Sequence, residues 1–408
     1  MVDAAVSFDR TSLAVAGTHG GTARRPAAGL AVSVAGLEAM SGYAAFCETA
    51  LSAPPQDDGW VRHWTAENRP DAVFATLTVD GLPVLALALE IVRHGPFRVA
   101  RFMGGRHANG NFAAMDPAAR NRIDRAAIDA LLAAIARARP DIDVVALERL
   151  LPDLDGVANP FACLPHLPSP NISLACDLEG GFDKLLDRAS SKRKRKKHRS
   201  QIRKFEAAGS YRRFTARTPQ ETQRLLDAFF EMKASRFRKM GIADVFGEAE
   251  VRRFFQALFA GALREKSPRF ILQALEVAGK IRAVTGSSVC GKRLICEFGA
   301  IAEDDLAHIS PGEFLFFKNI EEACAQGFEI YDFSVGDEPY KRLWCDIEAW
   351  HLDVLAPLTG KGRLLAIGLR GQSRLKASIK QSPAVWRLAR LLRRKVAGQP
   401  SSPSANDD

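Results

Sequence analysis

Two carboxylates, a phenol and two bases share seven positions at Gly336-Asp337-Glu338-Pro339-Tyr340-Lys341-Arg342. Groups of this kind move protons and bind anions when they converge. Upstream, Ser310-Pro311-Gly312-Glu313 reads as a helix start. Ser310 is placed to cap, Pro311 suits the first helical position, and Glu313 completes a capping-box pattern. A helix N-terminus offers free backbone N–H groups to an anion. Together the two segments suggest a site for a phosphate-bearing cofactor. The ordinary alternative is a capped core helix followed by surface ion pairs between Asp337, Glu338, Lys341 and Arg342.

These residues are positioned by a helix and a strand. Phe314, Leu315, Phe317, Ile320 and Ala323 form an apolar stripe at helical spacing, Gly327 stops the helix, and Phe328–Phe333 is β-rich. Before them come a hairpin, Phe270–Val277 and Ile281–Cys290 around Gly279, and a strand over Leu294–Ile301. The same order occurs earlier: Val73–Val79 and Val84–Val92 around Asp80-Gly81, a strand Phe97–Met103, a helix Pro117–Ala138 and a strand Asp143–Leu147. Between these units lie a Pro-rich crossover, a strand Ile172–Asp177, a long basic helix Phe182–Ala208, and helices Thr222–Met240 and Glu248–Leu263. The expected division is a flexible leader over 1–28, an N-terminal domain over 29–170, a C-terminal domain over 171–358 and a basic helical tail with a disordered end over 359–408.

Ser310-Pro311-Gly312-Glu313 and Tyr331-Asp332-Phe333, followed by Gly336 to Trp344, resemble the acyltransferases of the CelD/BcsL family, a FemAB-related branch of the GNAT superfamily. More weakly, the resemblance extends upstream to about Gly29. It implies an α/β (α+β) protein of tandem GNAT-like domains, each a mixed, mostly antiparallel sheet flanked by helices. It also implies acyl transfer from acyl-CoA, acetyl-CoA or longer, in exopolysaccharide, cellulose or envelope metabolism. By strand order the donor would lie between Leu294–Ile301 and Ile330–Phe333. Ser310, Gly312 and Glu313 would face its pyrophosphate, and Lys341 and Arg342 its phosphates. Tyr340 is then the candidate acid for the leaving thiolate. Asp337 and Glu338 are candidate bases or amine anchors, with Asp332 and Glu297 behind them and His308 and His351 as weaker bases. Each has an ordinary reading as well: a locally bonded ring, a solvated carboxylate, a structural histidine.

At 408 residues, 47% hydrophobic and 25% charged, the chain has material for two packed domains. Seven scattered cysteines argue for a reducing compartment and against a zinc site, and no metal is expected. The N-terminal residues lack a signal-peptide pattern, so the cytoplasm is expected. No phosphate-binding P-loop, dinucleotide fingerprint or metal-binding helix occurs, and Gly286–Gly291 is one residue too long for a nucleophile elbow. Transfer is therefore expected to be direct.

The net charge of +10 is concentrated in Lys192–Arg199 and in a tail free of acids from Val354 to Asn406. These blocks, 192–199 and 361–396, read as contacts for an anionic inner-membrane surface or as solvated faces. Nucleic acid in general is not expected, but tRNA stays open as a partner of the basic helix. The polar loop Gly104–Asn111 reads first as a turn and second as a wall of an acceptor cleft. The expected function is N- or O-acylation of a small-molecule or glycan acceptor. The alternatives are an aminoacyl-tRNA-dependent transferase and a non-catalytic module of a polysaccharide synthesis complex.

Overall fold

The computed structural model describes residues 29–188 and 191–381. The leader over 1–28 and the tail helix expected over 383–396 lie outside the described residues. The first unit contains β1 (Leu30–Ala35), α1 (Met40–Cys47), α2 (Asp58–Asn68), β2 (Asp71–Val79), β3 (Leu82–His94) and β4 (Phe97–Phe102). It continues with β5 (Ala114–Met115), α3 (Arg125–Ala138), β6 (Val144–Leu150) and a small ribbon of β7 (Asp153–Leu154) and β8 (Val157–Ala158). Then come β9 (His166–Asp177), α4 (Gly181–Arg188), α5 (Ser191–Ala207), β10 (Tyr211–Thr215), α6 (Pro219–Met240) and α7 (Ala249–Ala262). The second unit's sheet follows as β11 (Phe270–Val277), β12 (Lys280–Cys290), β13 (Arg293–Ile301), α8 (Pro311–Ala325), β14 (Ile330–Val335) and α9 (Pro339–Arg342). The last elements are β15 (Ile347–Pro357) and α10 (Gly360–Gln381).

All strands except β7 and β8 join one sheet, ordered β1-β2-β3-β4-β6-β15-β9-β14-β13-β12-β11-β10 with β5 alongside β3. The repeat expected from the sequence is visible as two hairpins. Asp80-Gly81 and Ala278-Gly279 turn them with positive φ at both residues, as a two-residue turn matched to strand twist requires. Each half also has one parallel pair. In the first, β4 meets β6 from Val99↔Val144 to Arg101↔Ala146; in the second, β13 meets β14 from Arg293↔Ile330 to Ile295↔Asp332.

The closing strands are exchanged. β9, which follows the first unit, pairs antiparallel with β14 of the second, whereas β15, which follows the second, pairs antiparallel with β6 of the first. β9 and β15 then pair with each other at the seam. The boundary expected between 170 and 171 thus falls inside β9, because a single strand spans the crossover. Of the basic helix expected over 182–208, the described residues form α4 and α5, and the helix expected over 117–138 has a 3-10 turn before α3.

Candidate active site

Parallel pairing of β13 and β14 lasts for three residue pairs and stops at Ile295↔Asp332. Beyond it the strands diverge, leaving a splay between Cys296–Ile301 and Phe333–Val335. On β13 the register with β12 jumps from Gly286↔Phe298 to Ser287↔Cys296, so Glu297 is the extra residue of a β-bulge. A bulge re-aims a side chain out of the strand's alternation. Glu297 Oε1 accepts a 2.5 Å hydrogen bond from Ser288 Oγ, while Oε2 is enclosed with no protein partner. Burial pushes this carboxyl up to about 8. The first unit's corresponding splay is closed differently. Asn111 bridges to Leu150, its amide donating to Arg149 O and its Nδ2 to Glu148 O.

Glu297 forms one wall of a cavity of about 180 Å3 that joins the two units. Arg106, His107 and Asn109 reach it from the first unit, and Phe246, Phe255 and Phe298 from the second. The loop expected first as a turn therefore lines a cleft. It is held by Arg149, a non-glycine residue at φ 56°, whose Nη1 donates to Arg106 O, Ala108 O and Asn109 Oδ1. Asp353 on β15 accepts from the Arg149 amide at 2.8 Å, so the exchanged strand braces the loop. His107 packs on Phe246 and Phe255, and burial pushes it down to about 4, which keeps the ring neutral.

At the splay, Tyr340 lies on Phe316 with ring centres 5.5 Å apart and nearly parallel, and it also meets Phe333 edge-on. Its phenol is pushed up by burial, so it stays protonated and able to donate. Gly312 sits where a Cβ would come within 2.7 Å of Ile301 on β13, bringing the start of α8 against the splay. The capping box is not formed. Ser310 adopts φ 62°, ψ 62°, away from the extended backbone of a capping residue, and makes no side-chain cap; Gln201 Nε2 donates to the Ile309 and Ser310 carbonyls. Glu313 pairs with Lys197 at 2.5 Å. The first turn of α8 thus has no side-chain cap on its N–H groups, unlike α3, where Asp124 caps Ala127. An uncapped helix start beside a splay with unpaired strand edges fits a diphosphate joined to an amide chain.

Several candidates are held elsewhere. Asp332 is buried, pairs with Arg293 at 2.8 Å and caps the Ser334 amide at 2.7 Å, which stabilises the left-handed Ser334 where β14 bulges. Asp337 is exposed and doubly bonded to Arg342, which also reaches Glu348. Lys341 is buried and donates to Val335 O at 3.0 Å while pairing with Glu338. His308 Nδ1 lies 2.8 Å from Asp305 O. His351 is buried and pushed down to about 4, with neither ring nitrogen bonded to a protein group. The buried thiols Cys47, Cys290 and Cys296 are each pushed up to about 12 by burial, which disfavours a thiolate nucleophile.

The basic run is only half solvated. Along α5, Lys194 sits 3.7 Å above the Trp344 ring, His198 stacks on Phe317 and Phe314, and Gln201 and Phe205 are buried. The opposite face leaves Lys192, Arg193, Lys196, Arg199 and Arg203 exposed, none in an ion pair among the described residues. No described helix is long and apolar enough to cross a membrane, and no described cluster of side chains could hold a metal ion.

Residues 192–342 match the family model described as an acetyltransferase (GNAT) domain. Among solved structures the chain is similar to FemX, at 11% identity and a TM-score of 0.54, covering 77% of this chain and 95% of that one. A tandem GNAT protein from the clavulanic acid pathway gives 13% identity and a TM-score of 0.44, covering 81% of this chain and 99% of that one. The L-PGS of Bacillus licheniformis gives 12% and 0.46, covering 84% and 97%. No curated protein matches the chain. The matched segment, residues 192–342, lies within a mixed α/β architecture.

Proposed function

We propose that this acyltransferase moves an acyl group from acyl-CoA, acetyl or longer, directly onto an amine or hydroxyl of a small sugar or envelope precursor. One observation carries the reading: Glu297, a carboxyl pushed up to about 8, is the bulged residue of β13 and lines the cavity joining the units. A base with a pKa near the working pH combines a useful fraction of carboxylate with strong proton affinity. The donor would supply a thioester carbonyl, with Gly312 and the first turn of α8 facing its phosphates. Glu297 takes the proton of the attacking group, and Tyr340, kept protonated by burial, is placed to return one to the leaving sulfur. Lys341, Arg342 and Asp337 then shape the α9 loop through their mutual ion pairs, and Asp332 holds β14. The CelD/BcsL branch and a place in exopolysaccharide or cellulose synthesis belong to this proposal, supported by Ser310–Glu313 and Gly336–Trp344.

Calorimetric titration with acetyl-CoA and a longer acyl-CoA tests the donor, beside Gly312→Trp. Binding lost in the variant supports the site. No CoA binding to the folded protein would favour a second reading, in which aminoacyl-tRNA is the donor. The specific observation behind that reading is the unpaired row Lys192, Arg193, Lys196, Arg199 and Arg203, on the helix whose Lys197 reaches the start of α8. It requires RNA binding that weakens steeply with salt.

A further inference from the structure

We propose that the acceptor is a small amine carrying an anionic group, a carboxylate or a phosphate, and that Arg106 selects it. The inference rests on the acyltransferase reading above. The cavity is lined by one carboxyl, one guanidinium and apolar walls. Of the two Glu297 carboxyl oxygens, Oε2 is enclosed and without a protein partner, whereas Oε1 is satisfied by Ser288. A buried acceptor atom left open in this way calls for a donor, from an ordered water or from a bound molecule. Arg106, also in the lining, is exposed on the loop and forms no ion pair among the described residues.

The neighbouring cations are committed elsewhere. Arg101 pairs with Glu90 at 2.9 Å, and Arg149 spends its Nη1 on the loop itself. His107 is neutral, so Arg106 is the charge in the cavity that lacks a counterion. Asn109 gives its carbonyl oxygen to Arg149, which leaves its amide hydrogens for a ligand. In the same lining, Phe246, Phe255 and Phe298 offer a surface for a ring or short carbon spacer. About 180 Å3 suits a small polar molecule. In the transfer step the amine nitrogen forms a bond to the thioester carbonyl carbon and its proton passes to the Glu297 carboxylate. The carbon–sulfur bond breaks, and the thiolate takes the Tyr340 proton.

The test uses the full chain with CoA present and matched pairs of amines: glucosamine 6-phosphate against glucosamine, and β-alanine against β-alaninamide. Binding is read by calorimetry and transfer with acetyl-CoA separately. In at least one pair the anionic member should bind about tenfold more tightly, the scale of one hydrogen bond to a charged group. The pair that discriminates identifies phosphate or carboxylate. Arg106→Gln should bring its members together, and Arg106→Lys should restore part of the difference. Equal binding within both pairs, no binding by any member, or a preference that survives Arg106→Gln would overturn the proposal. Acetyl transfer to neutral and anionic members alike would sink it while leaving the acyltransferase reading standing. Failure to bind acetyl-CoA would instead sink that reading.

Discussion

As the proposed base, Glu297 would couple the chemistry of the site to the pH dependence of the whole protein. Its carboxyl sits at about 8 in the folded chain against about 4.5 in a solvated one. The folded state therefore holds a proton that the unfolded state has released. This contribution to stability is fully present below pH 4.5, declines as pH rises and is lost by about 8. Activity should run the other way, with kcat/KM climbing to a plateau above pH 8 as the carboxylate form fills. Glu297→Gln should lower kcat by roughly 10²–10⁴ and flatten both profiles, read by initial rates and by thermal unfolding across pH. An unchanged activity profile would remove Glu297 as the base. Tyr340→Phe keeps the stacked ring and removes the proton. It should lower kcat at least tenfold, about 1.4 kcal/mol of barrier, with little change in KM. A fall in stability without a fall in kcat would mean that Tyr340 serves only to pack.

The elements determine which of the residues can act. Apolar spacing predicted α8 and β14, and the Asp80-Gly81 turn predicted its hairpin, because those signals are local and periodic. The bulge has no such signal: it arises where β12 and β13 pair out of step. Glu297 was legible as a strand carboxylate but not as the residue turned into a cavity. Arg106 and His107 read as turn residues because their partner, Arg149, lies far along the chain. Ser310 failed as a cap because its backbone is left-handed, at φ 62°, where a capping residue is extended. Two substitutions test this level. Gly286→Ala would place a Cβ 2.2 Å from the Phe298 ring, which is packed against Phe229, Phe246, Phe255 and Phe259 and has little room to retreat. It should cost about 1–3 kcal/mol in denaturant unfolding. Asp332→Ala leaves Arg293 half of a buried pair and frees the Ser334 amide. It should cost about 3 kcal/mol, and the activity profile of the folded fraction should move towards lower pH, because the Asp332 charge helps to hold Glu297 up.

At the scale of the molecule, the exchange of β9 and β15 decides whether the units are separable. Each half of the sheet is completed by a strand that the chain order assigns to the other half. β15 contributes Val354, Leu355 and Ala356 to the core and pairs on both sides. Removing it would uncover β6 and β9 together. It would also take away Asp353, the carboxylate behind Arg149 and the cavity loop. With each lost ladder hydrogen bond worth about 0.5–1.5 kcal/mol and several buried apolar side chains added, the loss exceeds the margin of an ordinary domain. The full chain should therefore unfold in one cooperative transition whose midpoint agrees between tryptophan fluorescence and circular dichroism. A chain ending at Asp346 should show no such transition in either half. Two separated transitions in the full chain, or a folded 29–165 fragment, would show that the halves are independent. One shared transition would mean that the cavity between the units is a fixed consequence of strand exchange, since the strand that closes the first sheet also braces the loop facing Glu297.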